Sequence, residues 1–172
     1  LAALAVLACQ WVEEGRAEDP RDVYSLARVL ERARLYDRSE AEYQRAAFGT
    51  PGGDERAHPW GDAAPGPEHG VFDLSSWDPE PAGTHPAGRS AWGVDDLVGN
   101  GWEWTSTAFH PFSGFQPFPF YPEYSTPFFD GDHYVLKGAS PRTAACFLRR
   151  SFRNWFRSSY RYVYAGFRCV EN

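Results

Sequence analysis

Two carboxylates and two glycines form the strongest candidate for chemistry in this sequence. Asp96 and Glu103 stand seven residues apart and bracket a turn that contains Gly99 and Gly101. Glycines permit tight turns that leave backbone carbonyl groups free to point inward, and calcium takes about six to eight oxygen ligands from carboxylates and carbonyls. The spacing therefore fits a calcium site, although the same acids could instead be solvated or pair with basic residues near the C-terminal end.

Thiol groups offer a weaker basis for chemistry. The three cysteines, Cys9, Cys146 and Cys169, include no CxxC pair. An odd count without that spacing predicts neither a disulfide framework nor a zinc site.

The composition of the 172 residues narrows the fold class. Aromatic residues make up 17% of the chain, which excludes an ordinary disordered segment. The 16 glycines and 14 prolines argue against a helical bundle and favour a loop-rich fold with short strands. The length suits one domain or part of a larger protein.

The net charge of −6 divides unevenly along the chain. Residues 138–172 hold seven arginines against the single acid Glu171, whereas the first 137 residues carry a net −12. Such a basic segment could bind nucleic acid. Because phenylalanine, tyrosine and tryptophan separate these arginines, we expect the segment to pack and pair internally, with no nucleic-acid partner.

The apolar opening, Leu1–Val12, is far shorter than the roughly 20 residues that span a bilayer. No basic stretch precedes it, as a signal peptide would require. We therefore predict a buried helix here, no membrane partner and a cytoplasmic location.

Helices are expected in the first 48 residues and must position the loops after them. Apolar residues recur every three or four positions across residues 1–8 and 23–34. A third, short helix is predicted over Ser39–Phe48, with Ser39 as its N-cap and Glu42 at the spacing of a capping box.

The remaining elements are predicted to be short and irregular. Thr50–Ser90 is expected to be loop held by aromatic anchors or bound ions. The aromatic–proline segment, Phe109–Tyr134, should also be an ordered loop packed through its rings, because proline blocks the hydrogen bonds of a sheet. Tyr134–Lys137 and Ala165–Val170 are predicted strands.

Several strings occur together in an order that resembles the formylglycine-generating-enzyme, or sulfatase-modifying-factor, domain. The resemblance implies an α+β, irregular, loop-rich, C-type-lectin-like domain with short strands and few helices over residues 39–172. It leaves residues 1–38 as a poorly matched helical segment. The strings are SEAEYQRAAFGTP (39–51), HPWGD (58–62), GVDDLVGNGWEWTS (93–106), VLKGAS (135–140), RRSFRNWF (149–156) and AGFRC (165–169).

Within that superfamily the chain looks closest to the ergothioneine and ovothiol sulfoxide synthases, which join a histidine derivative to a thiol at a non-haem iron. The resemblance implies the C-terminal substrate-pocket domain of such an enzyme, inactive as this fragment. Iron would have to come from an N-terminal domain, because the five histidines are scattered in loops. These are His58, His69, His85, His110 and His133.

The same resemblance argues against formylglycine generation. That reaction needs two cysteines that bind copper, but Thr143 stands where the first is expected and Cys146 falls out of register. A two-thiolate copper site cannot form from this segment.

The resemblance also implies roles for particular side chains. Asp96, Gly99, Gly101 and Glu103 would hold a structural calcium ion. Trp102 matches a tryptophan that neighbours the active site in the formylglycine enzyme, although a core position is the alternative.

Three side chains are implied substrate contacts. Arg149, Arg153 and Tyr160 are candidates for holding substrate carboxylates, which arginine binds through two hydrogen bonds. Alternatively, Arg149, Arg153 and Arg168 pair with the acids or cap carbonyl groups inside the domain.

A second functional reading concerns residues 157–161, RSSYR, which differ from what the synthase branch leads us to expect. Arginine, serine and tyrosine suit an adaptable binding surface. Arg157 and Tyr160 could then bind a small-molecule or protein ligand. The chain would be a non-catalytic ligand-binding protein on the same fold, such as a variable protein of a diversity-generating retroelement.

Overall fold

The computed structural model describes residues 36–169, and side chains are considered from Ser39 onward. The predicted helices over residues 1–8 and 23–34 lie outside this range, as does the apolar opening. One α-helix and a four-stranded sheet organise the described chain. The elements are α1 (Tyr36–Phe48), β1 (Gly101–Ala108), β2 (His133–Ala139), β3 (Asn154–Arg157) and β4 (Ala165–Gly166).

The sheet has the strand order β3-β2-β1-β4. Antiparallel pairing joins β1 to β2, with Glu103 opposite Lys137, and joins β2 to β3. The short strand β4 runs parallel to β1 and places Gly166 opposite Glu103. The sheet thus brings the chemistry-bearing strand β1 beside the last strand in chain order.

Helix α1 covers the sheet with an apolar face. Tyr43, Ala47 and Phe48 are buried and form a core with loop residues that include Phe72 and Leu97. Fully burying one large apolar side chain contributes roughly 1.5–3 kcal/mol. The Tyr43 hydroxyl also donates a hydrogen bond to the carbonyl of Leu97, so the helix holds the loop that leads into β1.

The predicted helix over Ser39–Phe48 is confirmed, but its start is not. The helix begins at Tyr36, and Ser39 lies inside it. The Ser39 hydroxyl accepts a hydrogen bond from the backbone N–H of Ser106 at 3.2 Å, while Glu42 pairs with Arg45 at 2.5 Å. The N-cap prediction is wrong because both side chains have other partners.

The long loop before β1 is confirmed as irregular chain, with a single described 3-10 turn at Pro86–Gly88. Its apolar anchors are Val71 and Phe72, both buried. The carbonyl of Val71 also accepts a 2.8 Å hydrogen bond from the backbone N–H of Asn100. Apolar burial and a few backbone bonds therefore fix the loop.

The aromatic–proline segment packs through ring contacts along its length, including Phe115 against Phe129 and Tyr124 against Trp155. Phe109 stacks on Trp155 at 4.4 Å between ring centroids, and Phe128 lies 5.6 Å from the same ring. Phe118 and Phe120 are exposed, Phe120 at 90%. The prediction of an irregular loop packed through its rings is confirmed, and Phe118 and Phe120 are the most exposed of those rings.

The predicted strand over Tyr134–Lys137 lies within β2. The strand predicted over Ala165–Val170 is confirmed only at Ala165–Gly166, and Val170 lies outside the described residues. Few helices, short strands and much irregular chain confirm an α+β irregular fold. Helix α1 crosses the predicted domain boundary between residues 38 and 39. The position of that boundary stays a prediction.

Candidate functional site

The acidic loop before β1 is held by its own side chains. Asp96 and Asn100 adopt positive φ values of 55° and 69°. The Asn100 amide exchanges two hydrogen bonds with the backbone of Glu80, at 2.7 and 2.9 Å. The Asp96 carboxylate accepts a 2.8 Å hydrogen bond from the backbone N–H of Gly83. These bonds fasten residues 80–83 to the entrance of β1.

Arg168 fills the space beside this loop. Its Nε donates to Glu103 Oε1 at 2.6 Å, and its two terminal nitrogens donate to the carbonyls of Asp95 and Asp96 at 2.6 and 3.2 Å. Burial raises the pKa of Glu103, and the Arg168 charge opposes that rise. Pairing with a basic C-terminal residue, one of the alternatives drawn from the sequence, is thus what the structure shows for Glu103.

The four predicted calcium ligands do not fit a calcium ion as they are arranged here. The Glu103 carboxylate faces Arg168, the Asp96 carboxylate binds Gly83, and the Gly99 carbonyl accepts a hydrogen bond from Gly101 N–H. Across residues 36–169, no group of three or more His, Cys, Asp or Glu side chains could hold a metal ion. The described histidines therefore form no iron site either.

A cleft of about 670 Å³ is lined by residues of the sheet and of the loops beside it. Its lining includes Trp102 from β1, Asn154 and Phe156 from β3, and the stretch from Arg161 to Tyr164 before β4. Arg142 is the other cationic side chain of the lining, and among residues 36–169 no acidic side chain contributes to it. Guanidinium groups without acids favour a ligand that carries a carboxylate or another anion.

A smaller space, here called the outer hollow, adjoins the cleft. It has a volume of about 450 Å³ and shares Phe156, Arg161 and Tyr162 with the cleft. Arg157 and Tyr160 line only the outer hollow. The Tyr160 ring stacks on Phe156 with centroids 4.4 Å apart. Arg161 therefore stands between two adjacent basic, aromatic spaces.

The structure brings together only some of the predicted ligand contacts. Trp102 lines the cleft, and Arg157 and Tyr160 line the outer hollow. Arg149 is exposed and is not among the residues lining either space. Arg153 is buried: its guanidinium donates to the His110 carbonyl at 2.8 Å. For Arg153, the expected alternative of capping a carbonyl matches the geometry.

Sequence reasoning missed most polar residues of the cleft, among them Arg142, Asn154 and Arg161. Asn154 is part of the RNWF string and Arg161 is part of RSSYR, so both belong to motifs that the sequence analysis had already linked to function. Arg142 belongs to no such motif. Its guanidinium lies between the rings of Trp77 and Tyr164, 5.4 and 5.2 Å from their centroids. Only the folded chain shows that sandwich at the cleft edge.

Thr143 and Cys146, the two residues considered for the copper pair, have different surroundings. Thr143 lines the cleft, and its hydroxyl accepts a 3.0 Å hydrogen bond from the backbone N–H of Ser140. Cys146 is free and exposed and is not among the cleft-lining residues. Cys169 is disulfide-bonded, a bond that the odd cysteine count without a CxxC pair did not predict.

Fold and site together define an irregular α+β domain with a basic, aromatic cleft. A family model described as the Sulfatase-modifying factor enzyme 1-like domain matches residues 11–172. The chain belongs to this family.

Curated relatives place the chain near one branch of that family. It is 42% identical over 135 residues to the hercynine oxygenase of Mycolicibacterium thermoresistibile, across 76% of this chain and 30% of that protein. The hercynine oxygenase of Mycobacterium tuberculosis is 39% identical over 131 residues, across 76% of this chain and 31% of that protein. Ergothioneine biosynthesis protein 1 of Schizosaccharomyces pombe is 40% identical across 51% of this chain and 12% of that protein. The resemblance to the ergothioneine branch is confirmed, and the chain spans about a third of the length of its hercynine oxygenase relatives.

One solved structure supports the fold. PvdO from Pseudomonas aeruginosa superposes with a TM-score of 0.50 at 23% identity, covering 87% of this chain and 58% of that one. At this identity the likeness concerns the fold alone.

Proposed function

We propose that this chain is the substrate-pocket domain of an ergothioneine-pathway enzyme that forms a C–S bond between a histidine derivative and a thiol. We further propose that the chain is inactive by itself. The similarity to two hercynine oxygenases supports the pathway. The observation that carries the proposal is the cleft lined by β1, β3 and the chain before β4, which has no acidic side chain among its described lining residues and offers a built space for such a substrate.

The chemistry of the cleft suits this substrate class. A histidine derivative and an amino-acid thiol both carry carboxylates, which Arg142 and Arg161 would bind by charge-assisted hydrogen bonds. Hercynine is a betaine, and its quaternary ammonium group would face aromatic rings such as those of Trp102 and Phe152, whose centroids lie 6.0 Å apart. Arginines would thus orient one end of the substrate and rings the other.

The iron of such an enzyme has no ligand set within residues 36–169. In this proposal another part of a longer protein supplies the iron, which would activate oxygen for the coupling. The residues of this chain bind and orient substrate and exclude water from one side of it. Formylglycine generation is not proposed, because Thr143 occupies the position of the first required cysteine.

Calorimetric titration of the chain with hercynine tests the pocket assignment. We expect Arg161→Gln to weaken hercynine binding by about tenfold or more, which corresponds to the loss of one charge-assisted hydrogen bond of about 1.5–3 kcal/mol. The matched control is Arg149→Gln, which removes an exposed guanidinium outside both spaces and should leave the affinity unchanged. Equal affinities for all three proteins would contradict the assignment.

Turnover is tested separately in the full reading frame that encodes this domain. With iron loaded, it should consume oxygen and couple hercynine to a thiol such as cysteine, whereas the chain alone should not. No turnover by the iron-loaded, full-length protein would exclude the enzyme assignment.

A non-catalytic ligand-binding protein is the second candidate. The loop after β3 favours it, because Tyr160 is 42% and Tyr162 is 88% exposed beside Arg161. A small molecule or a protein could bind this surface without any reaction. Neighbouring DNA distinguishes the two: a reverse transcriptase with a template repeat supports the ligand-binding protein, and an upstream iron-binding helical domain supports the enzyme. The cytoplasmic location stays part of the proposal.

A further inference from the structure

We propose that Arg168 is a built-in cation that takes the place of calcium in the Asp96–Glu103 loop and fastens β4 to it. The loop then needs no metal ion to keep its shape. This proposal is independent of the substrate assigned to the cleft.

The oxygen atoms around the guanidinium are of the kind that calcium uses. Arg168 donates to one carboxylate oxygen of Glu103 and to the backbone carbonyl oxygens of Asp95 and Asp96. Carboxylate and carbonyl oxygens are the usual protein ligands of calcium. A planar guanidinium with five N–H donors can serve several such oxygens at once.

The other acidic groups of the loop are also engaged within the protein. Asp95 Oδ1 accepts a 2.6 Å hydrogen bond from Arg89 Nε. Asp96 Oδ2 accepts one from Gly83 at 2.8 Å. Together with the Glu103–Arg168 pair, every acidic side chain of this loop has a partner in the described chain.

Charge opposes a metal ion at the same place. A divalent cation bound to Glu103 Oε1 would lie within a few ångströms of Arg168 Nε, which is itself 2.6 Å from that oxygen. Like charges this close repel strongly where water is partly excluded, and the Glu103 side chain is only 11% exposed. Calcium could bind there only after the guanidinium had moved away.

The position of Arg168 links the loop to the cleft. Arg168 follows β4, and just before β4 the Tyr164 carbonyl accepts a 2.8 Å hydrogen bond from Trp102 N–H. Trp102 and Tyr164 both line the cleft. By holding β4 against the loop, the guanidinium fixes one wall of the cleft.

The first test uses the unmodified protein in the absence of reductant, which preserves the disulfide of Cys169. We expect the same melting temperature in millimolar calcium and in EGTA. Terbium, which occupies calcium sites, should give no calcium-displaceable luminescence on excitation of the tryptophans, two of which, Trp102 and Trp104, flank Glu103. A calcium-dependent rise in melting temperature, or displaceable luminescence, would overturn the proposal.

The second test removes the guanidinium. Arg168→Ala should melt roughly 5 °C or more below the unmodified protein, because it leaves Glu103 and two carbonyls without their donor, and calcium should then restore part of that loss. The matched control, Arg157→Ala, removes an exposed cation 3.7 Å from Asp130 and should change little. If Arg168→Ala melts at the same temperature as the unmodified protein, or if calcium does not raise its melting temperature, Arg168 forms only an ordinary ion pair and the proposal is wrong. If that variant does not fold, the measurements on the unmodified protein decide.

Discussion

Lys137 is the single lysine of the chain and the most unusual charge in it. Its side chain is almost fully buried, with 1% of the residue exposed. The ammonium donates to the carbonyls of Arg150 and Phe152 at 2.9 and 2.6 Å and lies 3.9 Å from Glu40 Oε1. It thus holds the irregular chain that precedes β3.

Burial lowers the pKa of Lys137 from 10.5 to about 8, although the nearby Glu40 opposes the shift. Between pH 8 and 10 the unfolded chain therefore keeps a proton that the folded chain has lost. Stability consequently rises with pH in that window, by up to about 1.4 kcal/mol per pH unit. Urea unfolding should show this rise in the native protein and lose it in Lys137→Met.

The pH range of that comparison has an upper limit set by another residue. Burial raises the pKa of Tyr43 well above its ordinary value, so ionisation of Tyr43 in the unfolded chain lowers stability at higher pH. Measurements between pH 8 and 9 keep the two effects apart, because tyrosine in the unfolded chain ionises around pH 10. Equal pH slopes for the native protein and Lys137→Met would contradict the assignment to Lys137.

A stack of three aromatic rings is expected to affect the stability of the protein at low pH. Trp60 lies between His58 and His69, with centroid distances of 4.8 and 4.4 Å. Burial, reinforced by His69, lowers the pKa of His58. The unfolded chain binds the extra proton first, so stability should fall as the pH drops below about 6.5.

His58→Phe keeps a ring in the stack and removes that titration. Between pH 7 and 5 it should lose less stability than the native protein in thermal melts. The exposed His110→Phe serves as the control and should follow the native profile. A His58→Phe profile identical to the native one would refute the assignment.

Residue types in the acidic loop were readable from the sequence, but their partners were not. Asp96, Glu103 and the glycines between them predicted a turn rich in oxygen ligands. The cation beside them is Arg168, 65 positions beyond Glu103, and only the parallel pairing of β4 with β1 brings it there. The spacing of residues along the chain thus indicates which oxygen atoms lie together, but not which distant side chain binds them.

At the scale of elements, the helix was easier to predict than the strands. Helix α1 buries Tyr43 and Ala47 at helical spacing, whereas β1 buries Trp102 and Glu103 in succession and so lacks strict alternation at its start. Strand β3 has only four residues and owes its conformation to pairing with β2. Such strands are specified by their neighbours more than by their own sequence.

Glycine at position 138 of β2 is required by its backbone and by its surroundings. Its φ is +94°, and a Cβ there would lie 2.9 Å from the Leu97 carbonyl oxygen. Gly138→Ala should therefore lower the free energy of unfolding by roughly 2 kcal/mol or more, measured by chemical denaturation.

Gly166 of β4 provides the matched control for that substitution. A Cβ at Gly166 meets nothing within 4 Å, so Gly166→Ala should change stability by no more than about 0.5 kcal/mol. Similar losses for the two variants would mean that the contact with the Leu97 carbonyl is not what position 138 requires.

At the scale of the molecule, the cleft is assembled from segments far apart in the chain. Trp102, Arg142, Asn154 and Tyr164 come from β1, the loop after β2, β3 and the approach to β4. The order of motifs was sufficient to indicate the family and its α+β fold. It did not show that Arg153 is buried against Phe112. Nor did it show that Arg142 lies against Trp77 and Tyr164 at the cleft, because those contacts join distant parts of the chain.

The burial of Lys137 also allows local opening of the folded protein to be measured through this side chain. The chain contains no other lysine, so an amine-specific reagent has one side-chain target, and in the folded state that target is shielded. Mass spectrometry of timed labelling would then measure how often the sheet opens around β2. A ligand that closes the cleft should slow that labelling, and the effect would be visible without any dye, tag or engineered probe.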